Sequence, residues 1–208
     1  MTALEIRYTA NALPDAADAL SFMTREVRWI ETMRARKTAS FGLPYNYSGQ
    51  AYAACEMPPV IASIRARAAA LAAHPFNNCL CNLYETGRNT MGFHQDSYEG
   101  LVPSSLIAIA SLGATRTLVF RSIDRARVVA VPLEHGSILL MNETTQREWQ
   151  HAVKREPDAG LRVSLTFRQI ATQREQGPEN EVSEPFADRS VTSRRSQRFA
   201  ARAPYKLG

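Results

Sequence analysis

Between Leu13 and Ile30 the apolar side chains Leu20, Met23, Val27 and Ile30 recur at three- and four-residue intervals, and Pro14 and Asp15 supply a plausible start, so the spacing predicts a helix over 15–30. A second helix is predicted for VIASIRARAAALAA (60–73): Pro58 and Pro59 open it, and it stops before Pro75. From Asn77 onward the period shortens to two. Alternating runs near 78–85, 105–112, 116–121, 126–131, 137–141 and 161–169 predict strands, with a turn from Leu133 to Gly136. Residues 34–52, RARKTASFGLPYNYSGQAY, mix aromatics with Gly and Pro and predict irregular structure or a hairpin. Helices first and strands after predict an α+β domain, mainly β, built as an antiparallel sheet sandwich. Past Ala171 the chain turns polar. The expected organisation is a domain over 1–171 and an extension over 172–208, acidic and then basic.

Composition agrees with this outline. With 208 residues, 45% hydrophobic and 22% charged, the chain can bury a core without staples and is not wholly disordered. No apolar run approaches the roughly 18 residues of a membrane helix, so no membrane association is expected. The opening MTALEIRYTA lacks the layout of a signal peptide, and three cysteines (Cys55, Cys79, Cys81) form no even-numbered framework. Reduced thiols and a cytoplasmic location are the expectation. The net charge of +5 invites a nucleic-acid reading, but six basic residues and no acid lie between Arg189 and Gly208, leaving nineteen basic against twenty acidic residues elsewhere. The positive charge therefore belongs to the tail, which reads as a loosely ordered extension or as a polycation for phosphate.

Two constellations carry candidate chemistry. His94-Gln95-Asp96 sets an imidazole and a carboxylate two residues apart, on one side of an extended chain. A second imidazole would complete the two-histidine, one-carboxylate set of non-haem Fe(II) oxygenases. Of the other histidines, His74 precedes a proline, His135 sits in a turn, and His151 leads into the last strand and is the better third ligand. Zinc competes for the same donors, although no HExxH or CxxC pair supports a dedicated zinc site. The second constellation is the strand LRVSLTFR (161–168), with Arg162, Ser164, Thr166 and Arg168 on one face. Asn78, Leu80, Asn82 and Tyr84 likewise share a face. If both polar faces meet, guanidinium, amide and phenol groups converge in a manner suited to a dicarboxylate. The other reading is a half-buried strand with a solvated outer face.

Taken together, Asn82-Leu83-Tyr84, His94-Gln95-Asp96, His151 and Arg162-Val-Ser-Leu-Thr-Phe-Arg168 resemble the AlkB family of Fe(II)- and 2-oxoglutarate-dependent dioxygenases, from about Arg34 to Gln169. SLGATRTLVFR (111–121), EHGSILLM (134–141), WQHAV (149–153) and PYNYSG (44–49) support the likeness. The resemblance implies a double-stranded β-helix, or jelly-roll, with flanking N-terminal helices. It implies that His94, Asp96 and His151 ligate the catalytic iron, that Asn82, Tyr84, Arg162, Ser164 and Arg168 hold 2-oxoglutarate, and that residues 35–55 form a substrate lid. The implied activity is oxidative dealkylation of N-alkylated nucleobases in DNA or RNA, a DNA-repair chemistry, using Fe(II), 2-oxoglutarate and O2 and releasing succinate, CO2 and an aldehyde. The expected partner is alkylated nucleic acid, single-stranded DNA or RNA, met by a monomer. Phe41, Tyr45 and Tyr47 are candidates to stack on the target base, or else to pack the hairpin on the core. Arg34, Arg36 and Lys37 are expected to meet phosphate or to form an exposed polar stretch.

Two departures stand out. Ser164 replaces an asparagine common in the family. Tyr98, with Glu99 after it, stands where repair members carry an acid that meets the damaged base. Tyr98 and Glu99 are thus the candidates for contact with the base. The alternative activity is a 2-oxoglutarate-dependent hydroxylase acting on a small molecule or a protein side chain.

Overall fold

The computed structural model describes residues 3–31, 35–47 and 50–172. The expectations for Arg34, for Ser48 and Gly49 of the lid and for nearly all of the 172–208 extension fall outside these residues. The elements in chain order are β1 (Ile6–Thr9), α1 (Ala16–Arg25), β2 (Lys37–Gly42), β3 (Tyr45–Tyr47), β4 (Gln50–Tyr52), α2 (Pro59–Ala72), β5 (Asn78–Tyr84), β6 (Met91–His94), β7 (Ile107–Gly113), β8 (Arg116–Ser122), β9 (Val128–Leu133), β10 (Ser137–Met141), α3 (Glu143–Glu148), β11 (Trp149–Val153) and β12 (Arg162–Arg168). A six-stranded antiparallel sheet runs β1-β10-β7-β12-β5-β2, a four-stranded one runs β6-β11-β8-β9, and β3 and β4 form a separate hairpin. This is the mainly β jelly-roll with flanking helices that the resemblance implies.

The alternation in β5, β7 and β12 sorts side chains between two cores. Cys79, Cys81, Ala108, Ala110, Val163, Leu165 and Phe167 point outward and pack against Met23 of α1 and Ile61, Ile64 and Ala68 of α2. The small side chains of Ala108 and Ala110 allow the helices to approach the sheet closely. On the inner face Ile107, Ile109, Leu139 and Met141 meet Leu118, Phe120, Trp149 and Val153 of the smaller sheet. Every residue of β5 and of β12 is buried. A solvated outer face for β12 is therefore excluded. Its polar alternate residues face a second sheet, because two layers cover the strand.

Where prediction and structure differ, tertiary contacts decide. α1 ends at Arg25, five residues short of the predicted Ile30. The Trp29 indole N–H donates to the Met23 carbonyl (3.1 Å), and Ile30 pairs with Thr38 on the free edge of β2. A backbone partner on that edge competes with a further helical turn. Residues 37–42, expected within the lid as irregular structure or a hairpin, are β2, an edge strand paired along its length with β5. The lid expectation narrows to the β3–β4 hairpin, whose base is closed by paired backbone hydrogen bonds between Gly42 and Cys55. Gly42 has φ +87°, and a Cβ there would lie 2.1 Å from the Asn77 carbonyl oxygen, so only glycine makes this exit from the sheet. β1, β6, β11 and α3 are short, and their residues carry no run long enough to announce them. All three cysteines are free thiols. No helix among the described residues is long and apolar enough to cross a membrane.

Candidate active site

Strand pairing brings the two histidines together. β11 lies against β6 with His151 directly opposite His94, and the ladder shifts register between His151 and Val153. Directly opposed residues of an antiparallel pair share a face, so 57 residues of separation become a ring-centroid distance of 4.2 Å. Asp96 follows β6 by two residues and turns toward the same point. Its Oδ1 lies 3.9 Å from His94 Nε2 and its Oδ2 4.0 Å from His151 Nε2. Donor atoms of all three residues fall within 4.8 Å of one another, a grouping that could hold a metal ion. His94 Nδ1 lies 2.9 Å from the Gly92 carbonyl oxygen. A carbonyl only accepts, so Nδ1 is the donor in this contact, and Nε2 is the ring atom that faces Asp96.

The electrostatics suit a cation. Burial pushes the His151 imidazole down to about 4; His94 and Arg168 add to this while Asp96 opposes it, so the ring is neutral and its lone pair is available. Burial by itself would raise the Asp96 carboxyl. The Arg168 guanidinium, and to a lesser degree the two imidazoles, overcome this and hold it below its ordinary value. Arg168 does most, through an Nη2–Oδ1 hydrogen bond of 2.9 Å between side chains that are 2% and 3% exposed. Two imidazoles and one carboxylate on one side of a pocket match the donor set of non-haem iron sites.

The neighbouring wall comes from β5 and β12, whose register sets Arg162 opposite Tyr84, Ser164 opposite Asn82 and Arg168 opposite Asn78. Asn82, Tyr84, Arg162, Ser164 and Arg168 line the same pocket as His94, Asp96 and His151. Both arginines therefore reach one cavity, but they do not meet on one group. Arg168 is committed to Asp96, whereas Arg162 Nη2 donates only to the neutral Ser111 Oγ (3.0 Å). Arg162 Nε and Nη1 are buried without a hydrogen-bond partner, and no carboxylate among the described residues pairs with them. The Tyr84 ring lies 5.4 Å below this guanidinium. Burial lowers Arg162 from its ordinary value, Tyr84 and the more distant Glu156 oppose that shift and Arg116 adds to it, but a guanidinium stays charged in proteins. A buried cation with two undirected N–H groups fits the far carboxylate of a small diacid.

The remaining candidates are placed differently. Phe41 pairs with Cys79 and packs against the core beneath the helices, on the far side of the sheet from the cavity, because one-residue steps alternate faces. It is not a wall of the metal pocket. Tyr98 is half-buried against the inner core, and its hydroxyl donates to the Ser105 carbonyl (3.2 Å). Burial, Glu143 and Asp96 raise its pKa. Glu99 is exposed, with its N–H bound to Ser97 Oγ (3.1 Å). Neither Tyr98 nor Glu99 lines the cavity. The dipeptide follows the end of β6, so the strand geometry that would aim the first of them at the pocket is absent. Tyr45 and Tyr47 form β3, and their side chains are outside the described residues. Arg36 and Lys37 do not form a phosphate-facing stretch. Arg36 is buried and donates to Asn82 Oδ1 (2.7 Å), and Lys37 is paired with Glu31 (2.7 Å) and Glu85 (2.9 Å).

Several residues at the site carried no motif. Ser111 could have been found, since it continues the inward alternation Ile107, Ile109 with a polar group. Arg36, Gln95 and Gln146 could not, because a basic run and isolated amides read as surface.

Fold and pocket define a jelly-roll oxygenase built for a metal and a diacid. The family model of the "2OG-Fe(II) oxygenase superfamily" matches residues 10–168, and the chain belongs to that family, in its AlkB-like branch. Membership implies Fe(II), 2-oxoglutarate and O2 as cofactor and cosubstrates. The chain is 38% identical over 147 residues to human "DNA oxidative demethylase ALKBH2", covering 65% of this chain and 56% of that protein. It is 32% identical over 182 residues to mouse "Alpha-ketoglutarate-dependent dioxygenase alkB homolog 3", covering 76% and 63%. The chain thus spans a little over half the length of these relatives. A solved structure described as "The structure of OsALKBH1" superposes with a TM-score of 0.61 at 17% identity, over 81% of this chain and 100% of that one, a likeness of fold.

Proposed function

We propose that the chain catalyses oxidative dealkylation of N-alkylated nucleobases in DNA or RNA, consuming 2-oxoglutarate and O2 and releasing succinate, CO2 and an aldehyde. The carrying observation is the juxtaposition of a three-donor cluster within 4.8 Å and, in the same pocket, a buried arginine that has no counter-ion among the described residues. The similarity to a DNA oxidative demethylase supports the substrate class.

In this reading His94, Asp96 and His151 hold the iron, which when bound supplies the redox chemistry. Arg162 and Tyr84 receive the distal carboxylate of 2-oxoglutarate, with Asn82 and Ser164 beside its other end. Asn82 Oδ1 already accepts from Arg36, so its Nδ2 is the end free to donate toward a carboxylate. Arg168 keeps Asp96 ionised. Leu80, Ile109, Leu118, Leu133 and Val153 complete the cavity wall and keep bulk water from the reacting atoms. The β3–β4 hairpin serves as the substrate lid, with Tyr45 and Tyr47 stacking on an extruded base. Single strands suit this mode, since no duplex has to be opened. A monomer in the cytoplasm completes the proposal.

One observation favours a smaller substrate: Arg36 and Lys37, the basic residues leading into the lid, are both engaged within the chain. The deciding experiment measures formaldehyde and succinate on methylated single strands, duplexes, RNA and free nucleosides, with a no-substrate control. Nucleic-acid-dependent formaldehyde supports dealkylation of polymers. Succinate without formaldehyde on any nucleic acid would transfer the chemistry to a small molecule or a protein side chain.

A further inference from the structure

Asp96 stands outside every strand, so no ladder fixes it relative to the two histidines. Arg168 holds its carboxylate, and two glutamines hold its backbone segment. Gln146, 2% exposed in α3, accepts the Asp96 backbone N–H on its Oε1 (2.9 Å), and its Nε2 meets Met141 Sδ (3.3 Å). From the other side the Gln95 Nε2 donates to the carbonyls of Gln146 (2.5 Å) and Arg147 (2.9 Å). These carbonyls close the last turn of α3, where helical donors run out, so Gln95 caps the helix while tying its own segment to it. α3 runs directly into β11, and His151 follows Gln146 by five residues. One short helix therefore grips the backbone of the carboxylate donor and leads into the second imidazole. The helix is itself anchored from outside: Asn142 Nδ2 donates to Glu5 Oε2 (2.6 Å), and Thr145 Oγ1 donates to the Glu5 carbonyl (2.7 Å).

We propose that Gln146 and Gln95 are positioning residues that set Asp96 against His151 and thereby tune metal affinity, without touching the Arg162 end of the pocket. The inference rests on His94, Asp96 and His151 being the metal ligands. Its physical basis is that a buried amide oxygen spent on the N–H of a ligand-bearing residue has no apolar substitute. Leucine in its place leaves that N–H unsatisfied and the segment free to shift.

The test is anaerobic titration of the full chain with Co(II), which binds such donors more tightly than Fe(II) and reports ligand geometry in its visible spectrum. Gln146→Leu is expected to bind Co(II) about 10- to 100-fold more weakly, as outer-shell losses do, with an altered spectrum. Gln95→Ala, a change at an exposed residue, is expected at the lower end of that range and carries the test if Gln146→Leu fails to fold. The KM for 2-oxoglutarate at saturating metal stays within about twofold, since uniform binding at the distant arginine is retained. If the wild type binds Co(II) and folded variants match its affinity and spectrum, the glutamines are merely structural, whatever their melting temperatures, and the proposal is overturned. Failure of the wild type to bind Co(II) would instead overturn the ligand assignment, and this inference with it.

Discussion

Arg162 and Arg168 lie at opposite ends of β12, on the same inner face, each 1–2% exposed. They share a residue type, a strand and a cavity, yet their surroundings differ in kind. Arg168 is neutralised within the chain by Asp96, whereas Arg162 meets a hydroxyl and an aromatic face, feels Glu156 only at a distance, and has no ion-pair partner among the described residues. Burying a charge is costly unless it is paired and hydrogen-bonded. The Arg168 end offsets that cost on folding, and in doing so keeps a metal-facing carboxylate ionised. The Arg162 end leaves it outstanding until an anion arrives. A repeated arginine therefore marks two separate tasks, one holding the donor set together and one receiving a ligand.

The largest expected effect breaks the Arg168 end. Asp96→Ala removes a donor and strands a buried guanidinium, so metal binding and turnover should vanish and stability should fall by about 3–5 kcal/mol. Isothermal metal titration and urea unfolding check both, and retained metal binding would refute the donor set. Next comes a direct contrast of the two arginines as methionine variants in the metal-free, ligand-free chain. Arg168→Met leaves Asp96 unpaired and should destabilise by a similar amount. Arg162→Met removes a charge that has no ion-pair partner among the described residues, so its stability should stay within about 1 kcal/mol of wild type or rise. Equal losses in the two variants would erase the distinction. A third measurement sharpens it: with metal present and O2 excluded, 2-oxoglutarate at about 100 times its dissociation constant should stabilise the wild type by about 2.7 kcal/mol and Arg162→Met by far less.

The smallest effect concerns Tyr98, which belongs to neither end. Tyr98→Phe should cost about 1 kcal/mol for the lost hydrogen bond to Ser105 and should leave turnover unchanged. The phenol pKa is raised in the folded chain, so the fold keeps a proton that the unfolded chain releases above about pH 10. Stability is thus lost as pH rises past 10 in the wild type. The phenylalanine variant should lose less, as urea unfolding at pH 9 and 11 would show. A large drop in turnover at neutral pH would return Tyr98 to the substrate site.

Much of this was legible in the residues. The alternations at 78–84 and 162–168 specify which side chains share a face, and His94 and His151 stand out as two of only four histidines, with Asp96 two residues from the first. The Pro58-Pro59 pair announced α2 because a fixed φ suits a first helical turn. The short elements were not legible: β6 contains Gly92, and α3 is capped by the Asn142 side chain accepting from Thr145 N–H rather than by any long apolar period. The clamp through Gln95 and Gln146 left no trace, since amides that serve a distant backbone look like surface residues.

Periodicity along the chain was enough to establish strands with one polar and one apolar face, and residue chemistry was enough to propose iron and a diacid. Only packing could decide that the polar face of β12 is buried, because that depends on the smaller sheet covering it. Only strand register could set His151 opposite His94, place Phe41 beneath the helices and give Asp96 to one arginine and not the other. Those outcomes follow from which backbone hydrogen bonds form between distant segments, a choice that no local pattern encodes.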